Sequence, residues 1–119
     1  MAFDPLDFLT LAQSLASSGA QECELRTAVG RAYYSAFLVA RDKMRVQQRR
    51  KVHSETVKRL RKIKGYRSIA DELEELFELR TVADYELRPL KPNQRNWSNN
   101  WSRAQHLANR IHPRLRQLK

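Results

Sequence analysis

The chain has 119 residues, 41% of them hydrophobic and 30% charged, enough for one domain with one core and too little for two. No apolar run approaches the length that crosses a bilayer. Asp4 and Asp7 stand where a secretory leader carries basic residues, so the expectation is one cytoplasmic domain over residues 1–119. The net charge of +10 favours a polyanionic partner, and the single cysteine, Cys23, rules out an internal disulfide and is expected as a small buried hydrophobe.

Asp4 and Pro5 start a first helix well: the carboxylate caps, and proline sits where its missing N–H is not needed. That helix runs to about Ser17, before Ser18 and Gly19. Leu6, Phe8, Leu9, Leu11, Ala12 and Leu15 cover a wide face that should be well buried. A long second helix follows from about Gln21 to Arg45. Leu25, Ala28, Ala32, Ala36 and Ala40 recur three or four apart, small residues that let another helix come close. Tyr33, Tyr34 and Phe37 beside that line read as core packing. Gln47–Val52 is a basic connector containing Arg49, Arg50 and Lys51.

A third helix is predicted from Ser54 to Lys64, with Val57, Leu60 and Ile63 inward. The fourth starts near Ser68, with Asp71 and Glu72 in its first turn, and ends on a stripe of Ile69, Leu73 and Leu76. After a loop with Pro89 and Pro92, Asn96 caps a last helix. Its seam of Trp97, Trp101, Ala104, Ala108, Ile111, Leu115 and Leu118 alternates steps of four and three. The two tryptophans read as core or dimer seam. Pro113 should kink or divide that helix, and His106 and His112 should lie on its surface. With no strand-period segment, the fold class is all-α, an up-and-down bundle of four to five helices.

Charge is segregated. Residues 41–67 hold twelve basic and two acidic residues, 71–86 hold seven acidic and one basic, and 88–119 hold eight basic and none acidic. The acidic fourth helix can therefore pair with the basic blocks on either side. Arg31 and Arg41 of the second helix either line a cleft or bridge to that helix, and the bridge is the preferred reading.

There is no glycine-rich phosphate loop, and the three histidines lack the spacing of a metal site, so no metal or cofactor is implied. Arg80 is the anomaly. The next step of the Ile69–Leu73–Leu76 stripe lands on it, and an arginine on a buried line is costly unless paired or facing a wet cleft. Asp84 lies one turn on, where it can pair. The pair reads as a site or as a structural ion pair. On an ideal helix Tyr85 points away from both, and the three converge only if the helix ends or distorts near Ala83 or if a second protomer supplies one of them.

Arg31–Ala32–Tyr33–Tyr34–Ser35–Ala36–Phe37, Ala40–Arg41, His53–Ser54, and Leu79–Arg80 with Ala83–Asp84–Tyr85 occur in that order. This arrangement resembles the HEPN (higher eukaryotes and prokaryotes nucleotide-binding) superfamily, in particular its small stand-alone prokaryotic branch, over roughly residues 22–86. The resemblance implies a HEPN-like helical bundle, a homodimer, and action on RNA, with tRNA among the candidates. It also implies a toxin-like or defence role paired with a minimal nucleotidyltransferase that acts as antitoxin. Many such proteins are metal-independent ribonucleases whose arginine and histidine line a cleft between protomers. In some, a nearby tyrosine accepts AMP from the partner.

On this reading the catalytic candidates are Arg80, Asp84 and Tyr85. The RNA- or nucleotide-binding candidates are Arg31, Tyr34, Arg41, Arg49, Arg50, Lys51 and His53. The chain departs from the ribonuclease pattern at Tyr85, which stands where the motif places histidine. A phenol with an ordinary pKa near ~10 is a poor base at neutral pH. Asp84, if paired to Arg80, is held further from accepting a proton. The alternative is a non-catalytic nucleotide- or RNA-binding accessory subunit of the nucleotidyltransferase.

Overall fold

Caps and apolar periodicity translate into five α-helices. The computed structural model describes residues 3–119 and contains α1 (Leu6–Leu15), α2 (Glu22–Lys43), α3 (Val52–Arg61), α4 (Arg67–Tyr85) and α5 (Trp97–Arg116), with a 3-10 turn at Pro92–Gln94. Among the described residues there is no strand, and no helix is long and apolar enough to cross a membrane. The chain is an all-α bundle.

α2 is the central element, packed against α1, α4 and α5 and more lightly against α3. Its alanine line does what the spacing predicts. Ala28, Ala32, Ala36 and Ala40 have no solvent exposure, and neither do Ala104 and Ala108 of α5. Leu60, Leu73, Leu76, Leu107, Ile111 and Leu115 fill the remaining space, fully buried. Each such side chain contributes about 1.5–3 kcal/mol. The ion pairs that tie α4 to its neighbours are Arg103–Glu75, Arg110–Glu72, Arg61–Asp71 and Lys91–Glu78. They are mostly exposed, and such pairs contribute about 0–1 kcal/mol each, so they set register while the core supplies stability.

The termini follow from local chemistry. The Asp4 carboxylate accepts the Leu6 N–H at 3.0 Å, with Pro5 already helical. Gln21 and Glu24 form a reciprocal capping box on α2, and Asn96 accepts the Asn99 N–H at 3.0 Å on α5. The connector after α2 doubles back, so α3 begins beside Tyr33 while Arg59 in its last turn donates to the Met44 and Arg45 carbonyls.

Several expectations are corrected. α1 is not well buried: only Leu9 and Ala12 are enclosed, because α1 packs chiefly against α2, and Leu11 stays 47% exposed. Cys23 is exposed, two residues before the buried stripe of α2 begins at Leu25 and so on a different face of the helix. α3 starts at Val52 instead of Ser54, behind a left-handed Lys51. α4 starts at Arg67, which moves Asp71 and Glu72 out of its first turn and into pairs with Arg61 and Arg110. α5 runs through Pro113 undivided, since the proline lies in its last turns and the buried Ile111 and Leu115 hold it on both sides.

His112 is the largest correction. It is buried on the inner face of α5, 3.0 Å from Ser35 Oγ through Nε2. Ser35 donates its own proton to the Ala32 carbonyl at 2.7 Å, so it accepts from Nε2–H, and the ring is neutral with an unpartnered Nδ1. Burial, helped by Arg116 and opposed by Asp4, pushes its pKa down to about 4. The unfolded chain therefore takes up a proton below about pH 6.5 that the folded chain refuses until about pH 4. Stability is expected to be full at pH 7 and to fall by about 3 kcal/mol as the pH drops to 4. Urea midpoints of wild type and His112→Gln across that range check this; parallel pH profiles of the two would contradict it.

One arginine missed by the sequence reading fixes the end of α4. Arg26 donates from Nη1 to the carbonyls of Ala83 at 3.1 Å and Glu86 at 2.8 Å, with a longer contact to Val82, and from Nη2 to Leu87 at 3.0 Å. Its Nε pairs with Glu22 at 2.9 Å and its guanidinium lies 4.3 Å from the Trp97 ring centre. Arg26→Ala is expected to destabilise the fold by about 2–3 kcal/mol, the scale of charged hydrogen bonds to carbonyls otherwise left open. A urea midpoint within error of wild type would show that water replaces it.

Candidate functional site

The surroundings of Arg80 explain how a guanidinium sits on the α4 stripe. Its side chain is 18% exposed. Nη2 donates to the Tyr34 hydroxyl at 2.8 Å. Nε lies 2.9 Å from Asp84 Oδ2, but its N–H is not aimed at that oxygen, so the contact is an ion pair without a well-formed hydrogen bond. The guanidinium carbon stands 5.3 Å from the Tyr34 ring centre, 5.7 Å from Tyr85 and 5.9 Å from Tyr33. Three electron-rich rings thus replace part of its hydration.

Tyr85 does not point away from Arg80. It is the last residue of α4, where the backbone turns extended at Glu86, and the long arginine side chain leans across to its ring. The ring is 72% exposed. Tyr34 is not simple core packing either: it is half-buried, and its hydroxyl is engaged by Arg80.

Arg31 and Arg41 do not bridge to the acidic helix. Arg31 lies over the Phe8 ring at 5.0 Å and the Tyr34 ring at 5.1 Å. Arg41 donates to the Val46 and Gln48 carbonyls and holds the connector. Apart from Asp84, which lies by Gly30 of α2 and pairs with Arg80, the paired acids of α4 face α3, α5 and the loop before α5, where other cations and His53 take them. Arg49, Arg50 and Lys51 are exposed on the connector and form no ion pair among the described residues.

His53 lies behind the Arg80 face, joining three helices. Its Nε2 is 2.6 Å from Glu74 Oε1, its Nδ1 is 2.8 Å from the Tyr33 hydroxyl, and its ring stacks on Phe77 at 3.9 Å. Burial, reinforced by Arg80 and opposed by Glu74, holds its pKa below the ordinary histidine value. A neutral ring beside a carboxylate carries its proton on Nε2, so Nδ1 accepts the Tyr33 O–H. Burial raises the Tyr33 pKa strongly, which keeps that phenol protonated.

The structure therefore brings Arg31, Tyr34, Arg80, Asp84 and Tyr85 together on one face, with His53 one layer behind and Arg41, Arg49, Arg50 and Lys51 on the connector side. The sequence reading missed Phe8, Tyr33 as the link to His53, and Glu74. The Glu74 pairing had no local signal, since its partner is 21 residues away. Among the described residues no group of three or more His, Cys, Asp or Glu side chains is placed to hold a metal ion. No protein-family model, curated protein or solved structure matches this chain, so the site is interpreted from its own residues.

The hydrogen-bond chain through His53 is directly observable. At pH 7, nitrogen NMR is expected to show His53 protonated on Nε2 only, with a titration midpoint below 6.5. A proton on Nδ1, or a midpoint above that value, would contradict the chain as described.

Proposed function

We propose that this protein acts on RNA through the Arg80 face, as a HEPN-like protein paired with a minimal nucleotidyltransferase, and that Arg80 is the group that meets a phosphate. The observation that carries the reading is an arginine whose side chain is left 18% exposed and is loosely paired with one carboxylate, in a setting of tyrosine rings with Arg31 beyond Tyr34. A purely structural arginine has its donors filled by buried acceptors; Arg80 has one well-formed hydrogen bond, to a hydroxyl. The exposed Arg49, Arg50 and Lys51 of the connector add further phosphate-binding charge. The resemblance adds a homodimer, which would present two such faces.

Binding is the part of this reading that the surroundings favour over cleavage. Metal-independent cleavage needs a group that takes the 2′-hydroxyl proton. Asp84 is paired to Arg80, both ring nitrogens of His53 are engaged, and the Tyr34 hydroxyl is taken up by Arg80. This supports the accessory-subunit form, in which RNA or a nucleotide is held for a partner enzyme.

The test uses purified protein with total RNA and tRNA in the presence of a chelator. Wild type is expected to retain tRNA at low salt and leave it intact, and Arg80→Ala to weaken retention by about tenfold or more, the scale of a lost charge-assisted contact. Equal retention by both proteins would overturn the proposal. Arg80-dependent degradation of the RNA would instead establish the ribonuclease form.

A further inference from the structure

Six side chains on the Arg80 face form one continuous run. Phe3 meets Phe8 edge-on, with ring centres 4.9 Å apart. Arg31 lies over Phe8 at 5.0 Å and over Tyr34 at 5.1 Å. Arg80 lies 5.3 Å from the Tyr34 ring centre and 5.7 Å from that of Tyr85. From Phe8 to Tyr85 the run alternates ring and cation across α1, α2 and α4. Both ends are open, Phe3 at 56% and Tyr85 at 72% exposure. The fold does not require those open ends, since neither ring belongs to the core.

We infer that this ladder is a stacking platform for the unpaired bases of single-stranded RNA, an inference that rests on the RNA reading of the Arg80 face. Aromatic rings and guanidinium planes accept the face of any base, so such a platform is tolerant of sequence. Arg31 forms no ion pair among the described residues, which leaves its charge for the phosphates that flank a stacked base. A duplex cannot use the platform, because its bases are already stacked on one another and it offers mainly its backbone. The ladder therefore selects single strands, where a patch of lysines alone would hold both forms. A second copy of this chain fits the face less well: a two-fold contact would set the cations of one ladder against those of the other.

Fluorescence anisotropy with a short labelled oligouridylate, alone or annealed to oligoadenylate, tests this at one fixed salt. Wild type is expected to prefer the single strand by about tenfold or more, and Tyr85→Ala and Phe3→Ala each to weaken single-strand binding by about 5- to 100-fold and to narrow that preference. Both positions are exposed, so the variants keep the fold. Equal binding of the two forms, with both variants neutral, overturns the ladder and leaves the RNA reading standing. No binding of either form by wild type overturns the RNA reading itself. A dimer that Tyr85→Ala splits without changing single-strand affinity overturns the ladder in favour of self-association.

Discussion

The end of α4 is held by one guanidinium, and the candidate site depends on that hold. Arg26 collects carbonyls from the last turn of α4 and from the first residues beyond it, while resting on Trp97 of α5. The final carbonyls of a helix have no partner within it, and a cation there also meets the negative end of the dipole. Asp84 and Tyr85 belong to the turn that Arg26 secures. Their meeting with Arg80 is therefore secured by a residue of α2 that bonds the backbone on either side of them.

The same device recurs and changes how the charge of +10 is understood. Arg59 holds the end of α2, Lys43 donates to the Leu118 carbonyl beyond α5, Arg114 to Gly65 after α3, and Arg95 to Pro89 in the proline loop. Arg103 and Arg110 are engaged by α4 carboxylates. Much of the charge in residues 88–119 is thus engaged by the chain's own carbonyls and carboxylates while staying at the surface, and the last helix offers a partner less free charge than its composition implies. The connector after α2 keeps Arg49, Arg50 and Lys51 exposed and outside any ion pair among the described residues, so the two basic blocks differ in what they leave for a partner.

The helices and their order were legible because each rests on a local pattern: alanines at steps of four in α2, the Asn96 cap, the α5 seam. The Arg80 anomaly was legible for the same reason, as was its i,i+4 partner Asp84. What the sequence hid was tertiary. The inward turn of His112 depends on a serine on another helix leaving room, and the partial exposure of α1 depends on its having one main neighbour. Tyr85 departs from the ideal-helix direction because the helix ends at that residue, the condition under which it could meet Arg80. Arg31 and Arg41 were assigned to acids by charge alone, whereas one prefers aromatic faces and the other backbone carbonyls.

The backbone at the connector carries a consequence for how this protein can change. Arg45 and Lys51 hold φ angles of 56° and 53°, a conformation that glycine reaches freely and that costs a side-chain-bearing residue about 1 kcal/mol. Two strained hinges with long basic side chains bracket an exposed arginine pair. Heat-resistant descendants would gain by placing glycine or asparagine at both points and would lose two positive charges in doing so. Retention of lysine or arginine there, under pressure for robustness, would mark the bend as selected for what it presents outward.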